Sequence, residues 1–328
     1  MNKILHTLIY IASFLVAIML SSCGQTQRGG YASGKAFIAC DKTFQNVMEQ
    51  EISVFEYKYN GSEVMDIYVD ETAAIDSLLS QDNRFRMAVA SRPLTKEEIK
   101  YLRANKRTVN QQAIAVDAVA LIVNPENPIE FIDNSDVIGI LTGEFTSWDM
   151  IPGSDKKLGK ITTVFDHKGS STTRYMVDSL LNGRAMSQNI MAAKTPAEVF
   201  NAVAKHKNAI GIIGTSWLSS DMSGRELSEQ EILQMSNVED VSMANTFNTE
   251  VKVLAVQPDD KVDAYLPTQY DIFNGNYPYH RQIYLISTCS PNTTGHSFYT
   301  FVTSVVGQKI ILSTGICPKV ITPQFVEL

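Results

Sequence analysis

Cysteine is scarce in this chain: four residues among 328, at positions 23, 40, 289 and 317, with no C-x-x-C pair. That argues against a zinc site and against a dithiol redox motif. The five histidines, at 6, 167, 206, 280 and 296, are too scattered to suggest a multi-histidine metal centre. There is no G-x-G-x-x-G, no G-x-x-x-x-G-K-[ST] loop, no G-x-S-x-G elbow and no H-E-x-x-H. Basic charge is also short: 28 Lys and Arg against 35 Asp and Glu give a formal charge of −7. An acidic surface argues against nucleic acid as a partner, while leaving room for a local positive pocket. After residue 22, no segment is apolar for long enough to span a bilayer.

What is present is ordinary globular composition, 44% apolar and 19% charged, with length enough for two domains. The N-terminus stands apart. Met1-Asn2-Lys3 is followed by an almost wholly apolar run from Ile4 to Leu20 and then by Ser21-Ser22-Cys23. Residues 1–22 read as a secretory signal peptide. Small residues before a Cys resemble the bacterial lipobox, which implies cleavage before Cys23 and lipidation of its thiol. The alternative is a retained signal anchor. Residues 23–34 then read as a short lipidated tether. Gln25 leaves the choice between inner and outer membrane open. Cys40, Cys289 and Cys317 would share a compartment that permits disulfides. A Cys289–Cys317 pair and free thiols are both open at this point.

The rest alternates between strand and helix. Lys35–Cys40 reads as a strand, followed by a helix with Phe44, Val47, Met48 and Ile52 on one face. Strands are expected at Glu63–Val69, Phe85–Ala90, Ala113–Val123, Lys160–Phe165, Ala209–Gly214, Val251–Val256 and Arg281–Ser287. Helices are expected at Glu71–Leu79, after the Thr95–Glu98 capping box, after Thr195-Pro196, and over Phe298–Leu312. Residues 219–248 read as a polar, peripheral excursion. The alternation argues for a parallel α/β sheet. Two lobes with no linker between them imply that the chain crosses from one to the other more than once.

The stretch FDHKGSSTTRYMVDSLL, residues 165–181, places Gly-Ser-Ser-Thr-Thr ahead of a helical apolar pattern. Three readings are open. Ser170 or Ser171 caps the helix. The helix start, with hydroxyl donors and a close-approaching Gly169, seats an anion. Or a serine acts as a nucleophile, for which His167 is the only nearby base, badly placed for proton transfer within a tight turn.

Seven landmarks in order support the anion reading: ASRPLTKEE (90–98), AVDAVALIVNPENP (115–128), ILTGEFTSW (140–148), FDHKGSSTTRYM (165–176), AIGIIGTSWL (209–218), NYPYHRQIYLIS (276–287) and VGQKIILSTGICP (306–318). From about residue 35 onward the chain resembles the phosphate-binding proteins of bacterial phosphate ABC importers. These are periplasmic binding proteins of the type II fold. The resemblance implies an α/β fold of two lobes with a ligand cleft between them and two crossover segments, near Val116–Val119 and Arg281–Tyr284. Lobe 1 would comprise residues 35–117 and 284–328, and lobe 2 residues 118–283. It implies capture of inorganic phosphate, delivery to ABC permease subunits, a lipid-anchored position facing the periplasm, no cofactor and no catalysis.

Carried over residue by residue, the resemblance places Asp41, Lys42 and Thr43 at the first strand–helix turn of the site. Ser91 follows at the end of the third strand, and Ser170, Ser171 and Thr172 in the second lobe's loop. Thr72 is a further candidate donor, while Glu71 beside it would complement a helix dipole. The chain departs from the family at two positions. Asp166 stands where well-known members have Arg, and Arg92 where they have Asp. The expectation is an exchange of roles, with Arg92 as the cation and Asp166 accepting a hydrogen bond from a ligand that still carries a proton. Sulfate has no such proton near neutral pH, so Asp166 would select phosphate. Bland readings stand beside these: Arg92 paired to Glu97 or Glu98, Asp166 shaping a turn, Lys42 solvated, Arg174 on the surface, and His167 and Lys168 at the cleft mouth. The rival functions are capture of molybdate, tungstate or sulfate, a phosphate-sensing lipoprotein without transport, and a serine hydrolase.

Overall fold

A computed structural model describes residues 33–167, 169–218 and 249–320, with isolated positions between 228 and 247. The signal segment, Cys23, most of the tether, Lys168 and nearly all of the 219–248 excursion lie outside the described residues.

The chain opens with β1 (Gly34–Asp41), a 3₁₀ turn at Lys42–Phe44, α1 (Gln45–Lys58), β2 (Ser62–Val69), α2 (Glu71–Leu79), β3 (Met87–Ala90) and α3 (Lys96–Ala104). The Thr95–Glu98 capping box starts α3 as the sequence suggests, each side chain closing on the other's backbone amide. Next come β4 (Asn110–Val123), β5 (Phe131–Asp133), α4 (Asn134–Thr142), β6 (Thr162–Phe165), α5 (Ser171–Tyr175), β7 (Met191–Ala192), α6 (Pro196–Lys205) and β8 (Ala209–Gly214). A π turn at Met176–Leu180 extends α5. After the excursion come β9 (Lys252–Val253), β10 (Ala255–Gln257), α7 (Gln269–Phe273), β11 (His280–Ser287), α8 (Thr294–Val302), α9 (Val305–Ser313) and β12 (Cys317–Pro318).

The main sheet runs β2-β1-β3-β11-β4-β8-β6-β7. It is mixed rather than parallel throughout. β1 is parallel to β2 and β3, and β6 to β7 and β8. β11 is antiparallel to β3 and β4, and β4 is antiparallel to β8. The 14-residue β4 belongs to both halves of the sheet: residues up to Ala118 pair with β11, and Val119–Val123 pair with β8. Each half has its own core. Ile38, Phe44, Phe55, Val89, Leu285 and Phe298 fill one, and Leu121, Trp148, Phe165, Leu181, Ile210 and Leu254 the other. β3 and β8 are buried along their whole length, which is why they read as continuous apolar runs. Gly211 in β8 is required by packing: a Cβ there would lie 2.7 Å from Val199 and 2.8 Å from Ile122, so α6 could not rest on the sheet.

Two further expectations need correction. The helix expected over Phe298–Leu312 is two helices, because Ser304 turns its hydroxyl to the amide of Gly307 and caps a new start. The strand expected at Val251–Val256 is two short ones, β9 and β10, divided at buried Leu254. Cys40, Cys289 and Cys317 are free thiols. Among the described residues no helix is long and apolar enough to cross a membrane.

Candidate functional site

Parallel strands β1 and β6 deliver their C-terminal ends to one place from the two halves of the sheet. β1 ends in Asp41, whose carboxylate accepts from the Thr43 amide (3.1 Å) and so caps the following turn. β6 is followed by Asp166 and a tight loop in which Gly169 has φ 78°, a left-handed conformation that glycine adopts without strain. Ser170 then caps α5, accepting from the Thr173 amide at 3.0 Å.

The two turns interlock. The Ser171 amide donates to Asp41 Oδ2 across the halves (3.2 Å), and Thr43 Oγ1 donates to Asp166 Oδ2 (3.1 Å). Asp166 also accepts from Ser170 Oγ (2.7 Å), Thr172 Oγ1 (3.0 Å) and the His167 amide (2.9 Å). Asp41, Thr43, Asp166, Ser170, Ser171 and Thr172 are all buried. Burial pushes the Asp41 carboxyl above its usual range, against the opposing pull of the bonds from Ser171 and the Thr43 amide and the charge of Arg281.

Four donors use up the acceptor capacity of one carboxylate. Asp166 is therefore neither a simple turn former nor, in this state, a free acceptor: it gathers three of the hydroxyls expected to face a ligand, those of Thr43, Ser170 and Thr172. A hydroxyl has one proton, so Thr43, Ser170 and Thr172 as they stand offer only lone pairs to anything else.

Of the other residues singled out from sequence, Ser91 joins a neighbouring cluster. Its amide and hydroxyl donate to Glu71 Oε1 at 2.7 and 2.8 Å. Arg174 completes it from the other half of the sheet, pairing with Glu71 and reaching Ser91 Oγ at 2.6 Å. Burial alone would raise the Glu71 carboxyl, but the bond and charge of Arg174 with the two bonds from Ser91 hold it below its usual value. Arg92 is not brought to the site. Its guanidinium grips Glu98 in a two-bond pair (2.8 and 2.9 Å), so the expected role of cleft cation is not one this geometry gives it. Thr72 is exposed, and Lys42 is half-buried with no ion pair among the described residues.

Sequence reading missed Arg281, and it set Arg174's reach back to the anion below a place on the surface. Arg281 on β11 donates to Asp117 Oδ2 (3.0 Å) and to Thr172 Oγ1 (3.2 Å), with its guanidinium 5.1 Å from the Phe44 ring centre. Asp117 on β4 also accepts from Thr215 Oγ1 (2.8 Å). Asp117 interrupts an apolar strand and Arg281 is buried near the start of β11, and a charge buried in a strand requires a partner, which was the available signal. Arg174 was weighed as a surface residue and instead ties the halves together. His167 is buried rather than at a mouth. Among the described residues, Ser171 Oγ, both His167 ring nitrogens and Arg281 Nη1 are buried without a hydrogen-bond partner. A separate cavity of about 420 Å³ lies at the outer edge near β7, lined by Val164, Met191, Ala193, Glu198 and His206, away from this cluster.

The sequence matches the PBP superfamily domain over residues 25–306. It is 25% identical to the phosphate-binding protein PstS of Borreliella burgdorferi over 241 residues, covering 70% of this chain and 71% of that protein. It is 24% identical to the Bacillus subtilis phosphate-binding protein PstS over 228 residues, 67% of this chain and 73% of the other. The fold is similar to that of an ABC-type phosphate transport receptor from Vibrio cholerae, with a TM-score of 0.61 and 19% identity over 87% of this chain and 100% of that one.

Proposed function

This chain belongs to the PBP superfamily, and on that premise we propose that it is a solute-binding protein that captures inorganic phosphate for an ABC importer. The observation that carries this reading is the convergence of the Asp41–Thr43 turn and the Ser170–Thr172 turn from opposite halves of the sheet, with Arg281 beside them. The relatives' names supply the ligand class.

The two lobes would be residues 35–117 with 284–328, and residues 118–283. The crossover strands β4 and β11 would serve as the hinge and carry the Asp117–Arg281 pair at its centre. Phosphate enters by exchange: Thr43, Ser170 and Thr172 turn their protons from Asp166 to the anion, and Asp166 accepts a proton that the ligand carries. Residues 1–22 act as the export signal, and lipidation of Cys23 holds the protein at the membrane facing the periplasm, within reach of permease subunits. Hydrolase chemistry is disfavoured by the bonding of the serines. Ser170 Oγ is committed to Asp166, and Ser171 Oγ makes no bond to His167.

Calorimetric titration of the ligand-stripped protein with phosphate, sulfate and molybdate tests the reading. Tight phosphate binding with much weaker sulfate binding is the expected result. Folded protein that binds no phosphate overturns it.

A further inference from the structure

His167 carries a chemistry that the phosphate reading has not used. Its side chain is 4% exposed, and neither ring nitrogen has a hydrogen-bond partner among the described residues. Leaving both nitrogens of a buried imidazole unpaired costs free energy. Three carboxylates stand just beyond bonding distance. Nε2 is 3.7 Å from Asp41 Oδ1 and 3.6 Å from Asp70 Oδ1, and Nδ1 is 3.7 Å from Asp166 Oδ2. Asp41 comes from the end of β1 and Asp166 from its own loop, both buried, while Asp70, 47% exposed, comes from the turn before α2. Behind them lie two charge pairs that are already balanced, Arg281 with Asp117 and Arg174 with Glu71.

The charge count decides what an anion would meet. Asp41, Asp70 and Asp166 have no arginine or lysine pair among the described residues, and a phosphate placed among them adds further negative charge. An unpaired buried charge is costly, and the imidazole placed between these carboxylates is a side chain able to become a cation. A protonated imidazole donates from both nitrogens. It can therefore bond the anion on one side and a carboxylate on the other.

We propose that His167 is a ligand-binding and specificity-determining residue that takes up a proton from solvent as the anion enters, so that this site captures phosphate together with a proton. The proposal rests on the phosphate reading above. The proton balance is simple: solvent supplies one proton, His167 holds it as imidazolium, no covalent bond is made or broken, and release of the anion returns the proton. Binding then tightens as pH falls across the histidine range. That is opposite to the trend expected where permanently charged arginines seat the dianion.

The test is calorimetric titration of the purified full-length protein with inorganic phosphate in two buffers of different ionisation enthalpy, at pH values of about 6 and about 8. The expected result is uptake of roughly one proton per phosphate at the higher pH, with affinity roughly tenfold or more tighter at the lower. His167→Gln keeps a polar side chain but cannot become a cation. It should abolish the buffer dependence and weaken binding about 10- to 100-fold at the lower pH. Should that variant fail to fold, the His167 ring resonances of the unaltered protein provide the readout: adding phosphate should move them to the imidazolium position. Phosphate binding with no proton uptake overturns the proposal and leaves the phosphate reading standing. Uptake that persists in His167→Gln also overturns it, by assigning the proton to a carboxyl group or to the phosphate itself, which also titrates near neutral pH. Folded protein that binds no phosphate at either pH overturns both.

Discussion

At the residue scale the chain is organised around carboxylates with unequal support. Asp166 has four donors and Glu51 on α1 has none among the described residues. Asp166→Asn turns one acceptor oxygen into a donor, so at least one hydroxyl of the cluster loses its place. Phosphate affinity should fall about tenfold or more, and the preference over sulfate should narrow, because an amide does not repel an unprotonated anion. Paired titrations with the two anions measure this, and unchanged discrimination would remove Asp166 from ligand selection. Glu51 makes a different prediction. Burial pushes its carboxyl well above the ordinary value of 4.5. A group raised in the folded state contributes fully below its unfolded pKa and loses that contribution as pH rises through the folded one. Glu51→Gln should therefore match the wild type in acid and exceed it at neutral pH by about 1–3 kcal/mol. Urea denaturation at both pH values reads the difference, and equal stability at neutral pH would show that the carboxylate has a partner after all.

At the element scale, local chemistry was legible wherever a cap or a buried run set the structure. The Thr95–Glu98 box, Thr195-Pro196 and the apolar runs of β4 and β8 were readable because their signals lie within a few residues. The break between α8 and α9 was not, because the apolar spacing of Phe301, Val305 and Ile311 continues across it while Ser304 restarts the hydrogen bonding. Gly307 is what allows the corner to be this tight: a Cβ there would lie 2.5 Å from the carbonyl oxygen of Phe301 and 2.6 Å from the Val302 Cα. Backbone cannot yield as a side-chain tip can. Gly307→Ala should cost about 1–3 kcal/mol despite the better helix propensity of alanine, seen as a lower Tm. An unchanged or higher Tm would mean that the two helices separate freely.

At the scale of the whole molecule, the halves of the sheet are joined by two crossover strands and tied by charges across the cleft. Arg174 and Glu71 form one such tie. Glu71 is buried and lowered below its ordinary 4.5, so its contribution is present above that value and is lost as pH falls through the folded pKa. Arg174→Gln should cost about 2–4 kcal/mol at neutral pH. That is less than for a fully enclosed pair, because Arg174 is 37% exposed. The deficit should shrink on acidification, as Glu71 protonates in the variant. Denaturant titrations at neutral and acid pH check both parts, and a deficit independent of pH would place the loss in packing instead. Sequence by itself determined the strand–helix alternation, the caps, the buried runs and the hydroxyl-rich start of α5, because each depends on spacing within one turn or one strand. Only the tertiary structure decided which charges meet. Arg281 finds Asp117 at a separation of 164 residues, and Arg174 finds Glu71 at 103, while Arg92 turns to Glu98 only six away. The physical reason is that charge pairing depends on how distant elements pack, and no periodicity along the chain encodes it. Arg92 is drawn to Glu98 for that reason, and the same packing brings Arg281 to Asp117 and buries His167 beside Asp41 and Asp166, with half-exposed Asp70 alongside.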